Sequence, residues 1–405
     1  MTRLYLAIIL AISALLRSWR LGSPDKLVFD EVYYVDGARD LLANGVEVTD
    51  GKPEFVVHPP VGKWLIAMGI KLFGDDSMGW RISAAFFGVL SILLIFIVAR
   101  KLFNSDFLAL LAAALVSIDG LHVVMSRTAL LDIFLMTFLL GAFLALLNEN
   151  YLLLAVLLGL ALGTKWSALY FIIAVGIYLL VRARKELITY VSIIPIVYLI
   201  TWSGWFISDK GWDRNSSSNT FISLLNYHRE ILTFHTELKV DHSYEASPWN
   251  WLILGRPTSF FYASPKSCGA DDCAQEILAI GTPVIWWAGL ISLFVTIGYF
   301  IYRREKSAGL ILLGLLANYL PWLLFPERTT FYFYAIAFQP FLILTIIYAV
   351  KQFLGESEQT SGRRIWVLSG FSLAALIFLY FAPLYLGTVL TYDAWYSRMW
   401  FSSWI

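Results

Sequence analysis

Apolar runs of roughly 15 to 25 residues, divided by short charged breaks, follow one another along most of this chain, and few folds can bury so many. A hydrocarbon layer about 30 Å thick is crossed by roughly 20 apolar residues in a helix. The runs therefore predict spans near 3–20, 78–99, 106–121, 126–147, 151–165, 167–181, 187–208, 278–302, 307–325, 329–350 and 365–387. With 59% hydrophobic and only 15% charged residues, a soluble domain is excluded. The reading is an all-α polytopic membrane protein, one transmembrane domain over residues 1–405 with about 11 helices.

Under this count Arg100-Lys101, Arg182-Ala183-Arg184-Lys185, Arg303-Arg304-Glu305-Lys306 and Arg363-Arg364 share one face. The positive-inside rule makes that face cytoplasmic. The Met1 end is then inside and the Ile405 end outside, while residues 22–77, residues 209–277 and all five histidines lie outside. The first run is read as a retained span rather than a cleaved signal, because no small-residue cleavage pattern follows it. Arg17, Trp19 and Arg20 are expected to anchor it at the interface, their long side chains snorkelling outward. The net charge of +1 points to no class of partner, and nothing suggests nucleic acid.

Within residues 22–77, apolar positions recur at helical spacing around Val32, Val35, Leu41 and Leu42, and again from Pro60 to Leu72. Both stretches are read as amphipathic helices lying on the outer membrane surface, Pro59-Pro60 starting the second. Between the first span and these helices stands Phe29-Asp30-Glu31. Adjacent carboxylates close behind an apolar helix cost desolvation energy unless they meet cations or water, so chemistry competes with an ordinary polar loop as their explanation. Lys63, Arg81, Arg127, Lys165 and Arg328 sit at outer helix ends against the positive-inside tendency. Any one alone would be snorkelling; together they suit an anionic lipid headgroup, above all a phosphate. Asp132, five residues from Arg127, is expected to pair with it. Cys268 and Cys273 in Cys-Gly-Ala-Asp-Asp-Cys read as a disulfide in the outer loop; two thiols without nearby histidines make a poor metal site.

These residues resemble the protein O-mannosyltransferases, membrane glycosyltransferases of the GT-C type. The resemblance rests on Arg17 with Phe29-Asp30-Glu31, on His58-Pro59-Pro60-Val61-Gly62-Lys63, on Trp80-Arg81-Ile82, and on Ser126-Arg127-Thr128-Ala129-Leu130-Leu131-Asp132. It continues through Gly163-Thr164-Lys165-Trp166, His242-Ser243-Tyr244-Glu245-Ala246-Ser247-Pro248-Trp249, Arg256-Pro257 and Arg328-Thr329-Thr330-Phe331-Tyr332-Phe333-Tyr334. The aromatic tail from Trp395 to Trp404 is similar to actinobacterial members, and residues 209–277 lack the β-trefoil module that eukaryotic members insert there.

The resemblance implies a GT-C fold and inverting transfer of mannose from a polyprenyl-phosphate-mannose donor to Ser or Thr hydroxyls of secreted or membrane proteins. It implies no cofactor and no metal, a multi-pass protein of the plasma membrane with its site outside, surrounding membrane lipids, and the protein export machinery as a neighbour. Asp30 matches the general base, with Glu31 orienting the acceptor or fixing Asp30. Arg81 and Arg127 are the first candidates for the donor phosphate, followed by His58, Lys63, Arg256 and Arg328. His242 and Trp249 are candidates for the acceptor side, although Trp249, Tyr332 and Tyr334 also read as packing or interfacial rings. Rival readings are a related GT-C enzyme that moves aminoarabinose or arabinose to a lipid or glycan, a secondary transporter, and a scaffold built on the outer loop. A transporter should show repeated halves and broken mid-membrane helices, and the charges here gather at one face instead.

Overall fold

A computed structural model describes residues 1–355 and 361–405. From the start of the chain run α1 (Thr2–Ser18), α2 (Glu31–Asn44), α3 (Val61–Phe73), α4 (Ser77–Phe103), α5 (Asp106–Ser117), α6 (Gly120–Met125) and α7 (Asp132–Leu147). Then come α8 (Tyr151–Leu162), α9 (Ala168–Arg182), α10 (Leu187–Thr201), α11 (Ser203–Ile207) and α12 (Thr220–Glu237). The last part holds α13 (Pro283–Arg303), α14 (Lys306–Tyr319), α15 (Gln339–Leu354), α16 (Ser361–Leu386) and α17 (Tyr392–Tyr396). Among the described residues, four stretches are long and apolar enough to cross a membrane: Ser77–Phe103, Pro283–Arg303, Lys306–Leu324 and Gly362–Leu386. Five shorter apolar helices, α5, α7, α8, α9 and α15, stand with them. This is a multi-pass membrane protein.

Local chemistry sets the helix ends. Asp76 caps α4 by accepting the N–H groups of Met78 (3.0 Å) and Gly79 (2.8 Å). The α4–α5 turn closes on Asn104 in the left-handed region (φ 51°) and on Ser105, which accepts the N–H of Leu108 at 3.3 Å. At the centre, α7 is buried along most of its length and packs against α4 and α8, while α8 packs on α10. That last contact depends on Gly159, where an added Cβ would lie 2.6 Å from the Val197 Cβ. Small residues at such crossings let backbones approach, the main source of packing energy between helices in lipid.

The long connections carry the irregular structure. Helices α2 and α3 fill the two stretches with helical spacing and pack on each other, α3 also on α4. A hairpin of β1 (Val48–Thr49) and β2 (Lys52–Pro53) joins them. A three-stranded antiparallel sheet, absent from the sequence reading, has the order β3 (Thr258–Ala263), β4 (Cys273–Ala279), β5 (Val389–Thr391). Thr258 lies opposite Ala279, and Cys273 opposite Thr391. Cys268 and Cys273 form a disulfide at the entrance to β4. The sheet ties the C-terminal tail to the connection between α12 and α13, and Trp395 donates its indole N–H to the buried Glu276 carboxylate at 2.6 Å.

One expectation is corrected here. Arg17 does not snorkel: it is fully buried and meets His122 Nδ1 at 2.8 Å. His122 is itself buried between Arg17 and Ser91, whose hydroxyl meets its Nε2 at 2.8 Å.

Candidate active site

Asp30 is the residue before α2, in the N-cap position, yet its carboxylate accepts no N–H from its own helix. Aspartate there normally contributes about 1 kcal/mol by capping, so a free cap residue marks a site where another demand prevails. Phe29 just before it has φ 48°, a region that a bulky side chain rarely adopts. The Phe29 ring is held in place by others: stacked on Phe260 at 4.8 Å, and edge-on to Phe333 at 5.5 Å and Phe331 at 5.7 Å. This cage fixes the turn that directs Asp30. The half-buried Asp30 carboxyl is pushed up to about 6, by burial first, with Lys165 opposing and Asp132 reinforcing the rise.

Glu31 has a different fate. It is 0% exposed; its Oε1 accepts from Arg81 Nε (2.8 Å) and the Ala129 N–H (2.8 Å). Its Oε2 accepts from Arg81 Nη2 (2.8 Å) and the Val28 N–H (2.9 Å). Arg81, 1% exposed, spends its remaining donors on the carbonyls of Leu21 (3.1 Å), Pro24 (3.0 Å) and Lys26 (2.8 Å). A guanidinium has five N–H groups, and all are used. Arg81 therefore knots the first loop around Glu31 and has none left for a phosphate, contrary to the sequence expectation.

Other predicted cations are also engaged elsewhere. Arg127 donates to the carbonyls of Leu16 (2.9 Å) and Arg17 (3.0 Å), pinning the end of α1, and does not pair with Asp132. Asp132 instead receives Lys165 Nζ on both oxygens, at 2.9 and 3.0 Å. Lys63 is buried against Glu47. Arg256 holds the tail through the carbonyls of Ser403 (2.5 Å) and Ile405 (2.6 Å) and also bonds Ser243 O. His242 lies exposed, edge-on to Phe331 at 5.0 Å, and Trp249 is 67% exposed.

What the fold does bring together is His58, Lys165 and Arg328, which line one cavity of about 240 Å³ with Trp166, Tyr170 and His235. Lys165 uses two of its three N–H groups on Asp132 and lies 4.2 Å from the Tyr334 ring centre. Arg328 is held by the carbonyls of His235 (3.0 Å) and Thr329 (3.1 Å), through Nε and Nη1, leaving Nη2 unengaged among the described residues. His58 buries an Nδ1 that has no hydrogen-bond partner among the described residues, and its ring lies 5.3 Å from that of His235. Burial and the surrounding positive charges, Lys165 first, hold His58 well below the usual imidazole range. Gly62 lets α3 seat here, since an added Cβ would strike the Leu131 side chain at 2.5 Å.

Sequence reasoning missed His235 and α12, which carries it. The signal was present: Leu224, His228, Ile231 and His235 recur at spacings of three and four. The polar residues that surround it within 209–277 make that segment look like loop.

Two family models match the chain. "Dolichyl-phosphate-mannose-protein mannosyltransferase" covers residues 57–205, and "C-terminal four TMM region of protein-O-mannosyltransferase" covers residues 220–404. A polyprenol-phosphate-mannose–protein mannosyltransferase of Corynebacterium glutamicum is 32% identical, over 95% of this chain and 88% of its own length. This chain belongs to the protein O-mannosyltransferase family. A second such relative, from Mycolicibacterium smegmatis, is 32% identical over 98% of this chain and 92% of its own. Among solved structures, the fold of this protein O-mannosyltransferase is similar to the Saccharomyces cerevisiae Pmt1-Pmt2 complex bound to the sugar donor. The TM-score is 0.84 at 15% identity, covering 100% of this chain and 92% of that one. It is also similar to ArnT from Cupriavidus metallidurans in the apo state, with TM-score 0.61 at 16% identity, over 94% of this chain and 74% of that one. The protein O-mannosyltransferase is thus a membrane glycosyltransferase of the GT-C fold.

Proposed function

We propose that this enzyme transfers mannose from a polyprenyl-phosphate-mannose donor to Ser or Thr hydroxyls of exported proteins, with inversion at the sugar carbon. The observation that carries the mechanism is the half-buried Asp30 carboxylate, without a hydrogen-bond partner among the described residues, within the field of Lys165. In this reading Asp30 takes the hydroxyl proton as the acceptor oxygen attacks the anomeric carbon. The bond from that carbon to the phosphate oxygen breaks on the opposite face. A phosphate leaves as an anion, so no general acid is needed.

The charge that grows on the departing phosphate meets the spare donors of Lys165 and Arg328, with neutral His58 beside them. Cations fixed where charge develops stabilise the transition state more than the ground state. Arg81, Arg127 and Lys63 act one step removed, by holding the loop, α1 and α3 in register. Asp30 and Glu31 do not converge on a common ion, because Arg81 takes both oxygens of Glu31, and the scheme asks for no metal held between them. We also place eleven passes, the Met1 end in the cytoplasm and Asp30 at the outer face of the plasma membrane, supported by the charged turns that gather at the opposite end of the helices. The acceptor then approaches from the side of His242 and Trp249, and the export machinery delivers it unfolded.

The deciding experiment measures labelled mannose passing from synthetic polyprenyl phosphate mannose to a Ser/Thr-rich peptide, with purified wild type and Asp30→Asn in detergent. Transfer by wild type alone supports the reading; equal transfer by both removes Asp30 from the mechanism.

A further inference from the structure

At the end of the bundle remote from Asp30, a second cavity of about 620 Å³ opens between the α7–α8 turn, the last turn of α9 and the α13–α14 turn. The 15-residue α9 separates the two regions, about 22 Å at 1.5 Å per residue. The polar lining is Arg182, Arg304, Lys306, Glu149, Tyr151 and Tyr178. Three cations against one carboxylate leave a net charge of +2. Among the described residues none of these six side chains has a hydrogen bond or ion pair, although Arg304 lies 5.6 Å over the Phe300 ring. The contrast on the same face is Arg100, which is paired with Asp106 at 2.8 Å.

The deeper wall is apolar, formed by Leu147, Leu310 and Leu313. Outside the cavity, α9 and α13 continue with exposed Leu180, Val181 and Ile301. A charged rim over an apolar floor that runs out onto bare helix faces fits a headgroup with acyl chains attached, whereas a free anion would use only the rim. We propose that this cavity binds the phosphate of an anionic phospholipid from the adjacent leaflet, with the chains lying along α9 and α13. Arg182 and Arg304 reach it from two separate elements, so the bound lipid joins α9 to the α13–α14 turn. Basic pockets between membrane helices recognise lipid phosphates on this physical basis. The site is independent of the transfer chemistry.

Native mass spectrometry of the purified chain, titrated with phosphatidylglycerol or with phosphatidylcholine of matched chains, tests this. Phosphatidylglycerol should bind at least tenfold more tightly. Arg182→Gln, Arg304→Gln and Lys306→Gln should each weaken it roughly fivefold, Arg100→Gln should leave it unchanged, and Glu149→Gln should tighten it. The Glu149→Gln gain cannot come from misfolding, which keeps the test decisive if a cation variant proves unstable. Equal binding of the two lipids, or no response to the cavity variants, overturns the proposal. Displacement of the lipid by inorganic phosphate at comparable concentration overturns it too, in favour of a free anion.

Discussion

Glu31 grips Arg81 through both carboxylate oxygens, at 2.8 Å each, in a pocket that excludes solvent. Removing one partner of a buried pair strands the other charge and typically costs about 3–5 kcal/mol. Glu31→Gln and Arg81→Lys should therefore lower the thermal unfolding midpoint, the lysine because it cannot reproduce a planar fork. Any loss of transfer in these variants should follow the folded fraction measured in the same sample. A large drop in turnover at full folding would give Glu31 a direct part in the chemistry.

Asp30 should behave in the opposite way. Asp30→Asn is expected to reduce turnover by about 10²–10⁴-fold, the usual contribution of a positioned base, without loss of fold. Because burial raises its pKa to about 6, the wild-type rate should climb as pH rises through 6 and level off above it. The stability linkage has the reverse sign. A carboxyl whose folded pKa is raised favours folding below its unfolded pKa, near 4, and loses that contribution as pH rises through 6. At pH 8 the Asn variant should unfold at a higher temperature than wild type, and near pH 4 the difference should disappear. A fall in unfolding temperature at pH 8 would contradict the environment described for Asp30.

Arg328 bonds two carbonyls through Nε and Nη1, and its Nη2 has no hydrogen-bond partner among the described residues. Arg328→Gln is expected to cut kcat/KM by roughly 10²-fold, in the range of a lost fixed donor, while the unfolding midpoint changes little. Steady-state kinetics with varied donor would check this. An unaltered kcat/KM would leave the phosphate to Lys165 alone.

Lys165 and Asp132 form a second buried pair, at 2.9 Å, beside the site. A double-mutant cycle over Lys165→Met and Asp132→Leu should show each single change destabilising by about 3–5 kcal/mol and the double change by less than their sum. Additive losses would mean that the two charges are not coupled.

The disulfide closes a short loop. On a chain-entropy estimate Cys268→Ser with Cys273→Ser costs about 2 kcal/mol. Transfer should be retained, since the bridge lies at the entrance to β4. Abolished transfer in a folded variant would place that loop in the acceptor path.

Much of the scaffold could be read from sequence because lipid imposes one strong rule: apolar length. The runs near 78–99, 151–165 and 167–181 fall within a few residues of α4, α8 and α9. Phe29-Asp30-Glu31 and the amphipathic stretches were visible for a similar reason, since charge beside an apolar helix and helical spacing are both local patterns. Pairing is not local. Which cation meets which carboxylate depends on how α1, α3, α4 and α9 cross, and so spacing alone offers Arg127 to Asp132 while Lys165, 33 residues away, takes it. Arg81 and Lys63 looked free for the same reason. The sheet escaped because β4 runs directly into an apolar helix, and its partner β5 lies beyond α16.

The ring cage around Phe29 bears on the order of synthesis. Phe29 and Asp30 leave the ribosome early, but the rings that hold the left-handed turn come from Phe260, Phe331 and Phe333. A nascent chain halted before residue 331 carries the complete first motif with only Phe260 of these three rings against it. On the role proposed for Asp30, catalytic competence should therefore arrive late, when the last third of the polypeptide folds back over the first loop, and a partly translated copy should be inert.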